Sequence, residues 1–155
     1  MKILILYATH SGSTQQASQV LADNLESNNM KAVLKQVNQT DPHEIINYDS
    51  IVLASPSWDY DGKEGMPHED YISFMDKAKD FVWKEKSFAV LGLGDSSYTH
   101  FCGAVNHLEK FIREKEGKLI IDSLKIDGYY FDQDTYDNNI KNWSEKLTSK
   151  LNATQ

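Results

Sequence analysis

The sequence predicts an α/β fold, a doubly wound five-stranded parallel sheet in the order 2-1-3-4-5 with helices on both faces. Three observations predict it. Short apolar runs alternate with amphipathic stretches along the whole chain. The runs are continuously apolar rather than alternating, as in strands covered on both faces. The chain has 155 residues, 40% of them hydrophobic, enough for one core without staples. We therefore expect one domain over residues 1–155, with right-handed crossovers.

The elements follow in order. Residues 2–8 (KILILYA) form a strand buried on both faces. Residues 13–27 form a helix with Ala17, Val20, Leu21 and Leu25 on one side. Residues 31–37 (KAVLKQV) are a second strand, and a short helical turn is expected at 42–46. Residues 49–56 (DSIVLASP) are a third strand, expected to stop at Pro56. Tyr71, Met75, Ala78 and Val82 mark a helix over 68–82. Residues 87–94 (SFAVLGLG) are the fourth strand. Ala104, Val105, Leu108, Phe111 and Ile112 form the clearest helical stripe. The fifth strand runs over 118–128, with an interruption expected near Asp122 and Ser123. Ile140, Trp143, Leu147 and Leu151 share a face of the last helix.

Composition excludes several classes of function. Cys102 is the only cysteine, so neither an internal disulfide nor a thiolate cluster can form. The five histidines show no zinc-binding spacing, and no metal site is expected. The formal charge is −7 and Arg113 is the only arginine, which argues against nucleic acid as a partner. No apolar run is long enough to cross a bilayer, and no basic-then-apolar leader opens the sequence. A cytoplasmic location is the expectation. Acidic residues cluster at 59–70 (Asp59, Asp61, Glu64, Glu69, Asp70) and at 122–137. The loop at 57–67 is long for its place and is a candidate functional loop.

Ligands of such sheets bind beyond the carboxyl ends of the strands. Three loops meet that end. The first, THSGST, places Thr9, Ser11, Ser13 and Thr14 around Gly12 at the head of a helix. Free N–H groups there favour an anion, and hydroxyls extend the donor set. One hydroxyl would suffice as a helix cap; four in six residues exceed that need. No lysine or arginine lies between Lys2 and Lys31, and no nucleoside-triphosphate motif is present. Neutral donors suit a single terminal monoester phosphate. The second loop carries Trp58 and the third carries Tyr98, two aromatics able to enclose a flat ring. The constellation describes a mononucleotide with a planar heterocycle.

These residues resemble the short-chain flavodoxins from Met1 to about Leu151. THSGST is similar to that family's phosphate loop, SPSWD to its tryptophan loop, and GLGDSSYTHFCGAVNHLEKF to its tyrosine loop. LKIDG is similar to the end of its final strand. The resemblance implies a flavodoxin-like fold and non-covalently bound flavin mononucleotide (FMN). It implies that Thr9, His10, Ser11, Gly12, Ser13 and Thr14 hold the phosphate. By the same resemblance Pro56, Ser57, Trp58, Asp59, Leu93, Gly94, Asp95, Tyr98, Phe101 and Cys102 form the rest of the cofactor site. Trp58 and Tyr98 would sandwich the flavin, and Cys102 would be a small buried residue rather than a nucleophile.

The implied function is low-potential electron transfer between basic-surfaced redox proteins, reductases and acceptors, by a monomeric carrier that is not an enzyme. The alternative is a flavodoxin-like FMN enzyme, such as a quinone reductase or a ribonucleotide-reductase activator. One position departs from the family. Many flavodoxins have glycine after the loop tryptophan, where a peptide flips on reduction, and this sequence has Asp59. A side chain makes that flip costlier, so a less stabilised one-electron state is expected. His10 is the second oddity, expected to point outward.

Overall fold

The computed structural model describes residues 1–154. Seven strands and four α-helices run in the order β1 (Lys2–Tyr7), α1 (Ser13–Ser27), β2 (Lys31–Gln36), β3 (Ser50–Tyr60), β4 (Lys63–Pro67), α2 (Glu69–Lys77), β5 (Ser87–Gly94), α3 (Gly103–Glu114), β6 (Lys118–Leu119), β7 (Leu124–Asp127) and α4 (Gln133–Ala153). The sheet order is β2-β1-β3-β5-β6, with β7 also paired to β5. All of these pairings are parallel. This is the predicted order, with the fifth strand broken into β6 and β7. Residues 121–123 leave the ladder between them, after the Ile120 N–H has donated to the Phe88 carbonyl at 3.1 Å, and the Trp143 indole donates to the Asp122 carbonyl at 2.9 Å.

Alternate residues of each strand serve opposite faces, as the pleat requires. Ile3, Ile5 and Tyr7 of β1 pack with Ala17, Leu21 and Leu25 of α1 and with Trp143 and Leu147 of α4. Leu4 and Leu6 face the other way, in the cluster that holds Tyr71 and Phe74 of α2 and Leu108 and Phe111 of α3. Each face thus buries one pair of helices. The turn expected at 42–46 is a 3₁₀ helix over Pro42–Asn47, closed by an Asp41–Glu44 capping box.

Two expectations need correction. The helix over 68–82 ends at Lys77, and Val82 lies on the surface. The chain turns after Ala78 so that the larger Trp83 is buried against Phe74, Phe88 and Phe111. The third strand does not stop at Pro56 but continues to Tyr60. Proline is tolerated there because β1 has already ended: its pairing with β3 reaches only Ala54, so no neighbour asks for the missing N–H on that side.

One buried side chain ties the central strands to α2. The Tyr71 hydroxyl donates to the Leu6 carbonyl at 2.6 Å and accepts from the Ala54 N–H at 3.0 Å. Leu6 is next to the end of β1, and Ala54 is the last residue of β3 that pairs with it. Burial pushes the phenol's ionisation far above its usual range. Tyr71→Phe leaves both groups without this partner and should cost about 1–3 kcal/mol of stability, measured by chemical denaturation.

Candidate functional site

The loop between β1 and α1 is built as an anion cradle. Gly12 is the N-cap of α1, with φ +93°, a left-handed conformation that glycine adopts without strain. No side chain caps the helix, so neither Ser11 nor Ser13 serves as a structural cap. The N–H groups of the first turn therefore point out of the helix without intrahelical partners. The Gly12 N–H itself is held by the Thr9 hydroxyl at 2.8 Å, which fixes the bend. Ser11 and Ser13 Oγ lie 3.5 Å apart. The Thr14 Oγ1 is buried and, among the described residues, has no hydrogen-bond partner. An orphaned hydroxyl beside free N–H groups fits the phosphate of a mononucleotide.

The second loop is a β-hairpin. Past Pro56, β3 pairs antiparallel with β4, Ser57 opposite Pro67 and Trp58 opposite Met66. The two-residue turn Asp61–Gly62 closes it, with positive φ at both positions, the twist that suits a tight hairpin. The register shifts between Trp58 and Tyr60, where Asp59 alone on β3 faces two residues of β4, Glu64 and Gly65, so the bulge lies on β4 at Gly65, whose φ is +76°. Asp59 is not among the positive-φ residues. The Trp58 side chain is left 52% exposed.

The third loop follows β5 and holds itself in place. The Asp95 carboxylate accepts from the Ser97 N–H at 2.9 Å, which holds its carboxyl below the usual range. Asp127 accepts from the Ser96 N–H at 2.9 Å. Tyr98, between them and α3, is 58% exposed. Cys102, with φ +50°, ends the loop as the N-cap of α3 and is fully buried.

The hairpin is docked onto this third loop through backbone. A Cβ placed on Gly103 would meet the Gly65 carbonyl oxygen at 2.6 Å. The Ala104 N–H donates to the Ser57 hydroxyl at 3.0 Å, and the His100 N–H to Glu64 at 3.4 Å. The tryptophan and tyrosine loops are thus joined into one wall.

A cleft of about 370 Å³ opens where the three loops meet. His10, Ser11, Ser13, Pro56, Ser57, Trp58, Asp59, Leu93, Gly94, Asp95, Tyr98 and Cys102 line it, all of them residues named from the sequence. Four named residues do not line it. Thr9 and Gly12 shape the cradle from behind, Thr14 is buried in the first turn, and Phe101 packs on the core shared by α2 and α3. Three lining residues were not foreseen: Glu64, Gly65 and His100. The acidic run and the third loop contained two of them, but only the hairpin's fold-back brings Glu64 and Gly65 round to the cleft.

His10 does not point outward as expected. Its ring lies 4.4 Å from that of Trp58 and 4.0 Å from that of His68, nearly stacked on the latter, and its Nε2 is 3.5 Å from Glu69. Aromatic surface on both sides outweighs solvation of a neutral imidazole. Burial and the neighbouring His68 lower its pKa, against the pull of Glu69 and Asp70.

A model of the flavodoxin family matches residues 5–143. The flavodoxin of Maridesulfovibrio salexigens is 33% identical over 153 residues, covering 97% of this chain and 99% of its own. The chain belongs to the flavodoxin family. The crystal structure of oxidised Flavodoxin 2 from Bacillus cereus is similar over the full length of both chains, with a TM-score of 0.85 and 28% identity. A Fusobacterium nucleatum flavodoxin, solved bound to flavin mononucleotide, shares the fold at a TM-score of 0.80 and 18% identity, covering 96% of this chain and 98% of its own.

Two outcomes test this account of the flavodoxin loops. Burial pushes the Cys102 thiol up to about 11. Reaction with a thiol reagent at about pH 8 should therefore be slow in the folded protein and fast after denaturation, read by absorbance. Gly103→Ala should cost about 1–3 kcal/mol through overpacking against Gly65, with faster backbone hydrogen exchange in the hairpin.

Proposed function

We propose that this chain is a low-potential electron-transfer flavoprotein that acts as one FMN-binding unit over its length and carries electrons between redox partners. The observation that carries the reading is a cation-free anion cradle and two exposed aromatics at the same end of one parallel sheet. FMN supplies the redox chemistry when bound. In this reading the first-turn N–H groups of α1 and the hydroxyls of Ser11, Ser13 and Thr14 bind the phosphate. Thr9 and Gly12 set the loop's bend. Trp58 and Tyr98 take the two faces of the ring and exclude water from it, which strengthens every electrostatic effect within. Pro56, Ser57, Leu93, Gly94, Asp95 and Cys102 supply the wall of the ring and its side chain.

The residues then tune the potential. Asp59, Glu64 and Asp95 line the cleft, and no lysine or arginine does so among the described residues. Charge added to a ring held there meets acidic neighbours and no lysine or arginine. That disfavours full reduction and keeps the potential low. The same acidic rim suits basic surfaces on reductases and acceptors, whose approach it steers. A monomeric carrier in the cytoplasm fits this role. Among the described residues no helix is long and apolar enough to cross a membrane.

Stepwise dithionite reduction followed by visible spectroscopy tests the reading, with a yellow purified protein whose bands bleach as expected outcome. A colourless protein whose apo form leaves added FMN fluorescence unquenched would overturn it. Trp58→Ala should weaken FMN binding by roughly tenfold, from the loss of stacking and contact area. Asp59→Gly should widen the gap between the two midpoint potentials, because glycine frees the peptide after Trp58 to turn. Spectroelectrochemistry reads the gap, and an unchanged value sinks the role given to Asp59.

A further inference from the structure

His10 is the unusual member of the phosphate loop, and its surroundings suggest what it adds. It is the only ionisable cationic side chain between Lys2 and Lys31, so the loop and α1 offer no other. Its ring lies against Trp58 from β3 and stacks on His68 from the head of α2. Its Nε2 is directed to Glu69 in the first turn of α2, and Asp70 lies next to Glu69. Asp59 and Glu64 line the same cleft.

The two stacked imidazoles are not equivalent. His68 Nδ1 accepts the Asp70 N–H at 3.0 Å, capping α2. That role puts the ring proton of neutral His68 on Nε2, and a second proton on Nδ1 would break the cap. His68 is also buried, whereas about a quarter of the His10 side chain reaches solvent. Two adjacent imidazolium rings would repel each other. Carboxylates face both rings: Glu69 lies 3.5 Å from His10 Nε2 and 3.9 Å from His68 Nδ1, and Asp70 lies 3.6 Å from His68 Nδ1; only His10 can take a proton there without giving up the helix cap.

We propose that His10 is a proton-linked contact of the cofactor phosphate: FMN binding draws a proton from solvent onto its imidazole, and the bound form carries a His10 cation beside Glu69. This rests on the FMN reading above. In the protein alone, burial lowers the pKa of the His10 ring and favours its neutral form. A phosphate dianion in the adjoining cradle adds negative charge beside it and favours the charged ring. Because protonated His10 is favoured in the bound form, affinity rises as pH falls, by at most about tenfold per pH unit for one proton. The rise levels off near about pH 6, where a monoester phosphate takes up its own second proton.

Isothermal titration of apoprotein with FMN in two buffers of unlike ionisation enthalpy, between about pH 6.5 and 8, measures this proton directly. The native protein should take up a substantial fraction of one proton, and His10→Asn should bind FMN with that uptake gone and a flat affinity profile. FMN binding by the native protein without uptake overturns the inference and leaves the FMN reading standing. Uptake that persists in His10→Asn also overturns it, and uptake lost only in His68→Asn assigns the proton to the wrong ring. No binding of FMN, seen as unquenched flavin fluorescence, removes both readings together.

Discussion

The contact between the backbones of Gly65 and Gly103 governs the geometry of the whole cleft. The hairpin that carries Trp58 extends from the sheet's centre into solvent, and a two-stranded ribbon on its own is marginal in water. Its far strand is pressed onto the head of α3 with no side chain between the two chains. The Ser57 hydroxyl and the Glu64 carboxylate complete the junction. Loops from two different strands thereby act as one wall. The first loop, at the head of α1, is fixed by other means, the Thr9–Gly12 bond and the left-handed turn. A rigid jaw and a rigid cradle leave little to be ordered on binding, so less of the interaction is lost to conformational entropy.

The electrostatics follow the same division. Donors without charge lie at the head of α1, and acids lie on the jaw. A ligand with a negative tail and a neutral flat head fits that gradient. The cradle accepts the tail through N–H groups and hydroxyls, while the jaw resists any charge that builds on the head. His10 stands at the border between the two, on the cradle in sequence and against the jaw in space.

Much of this was legible in the residues. The alternating apolar runs located β1, α1 and β5 almost to the residue, because their burial is set by period and by nothing distant. Where a nearby loop or a larger side chain competed, the sequence misled. Pro56 looked like a stop because its missing N–H is costly inside a sheet, yet its neighbour strand had already ended. Val82 matched the helical period, but Trp83 buries more surface and took the core. At the site, side chains directed by their own loop were found, as with Ser11, Trp58 and Tyr98. Glu64 and Gly65 were missed because a fold-back brings them in, and His100, in a loop already singled out, because nothing in the sequence says which way its side chain points; His10 turned inward because it meets Trp58, His68 and Glu69, all distant along the chain.

The break between β6 and β7 has a consequence for how the chain can change its length. The three residues that leave the ladder, 121–123, lie at the outer edge of the sheet, and the Trp143 indole secures only one carbonyl among them. An insertion there would interrupt no strand pairing, since the ladder is already open. Closing a longer excursion adds an entropic cost that grows only with the logarithm of its length. The sheet could thus acquire an extra flap on that border while β7 still delivered Asp127 to the tyrosine loop.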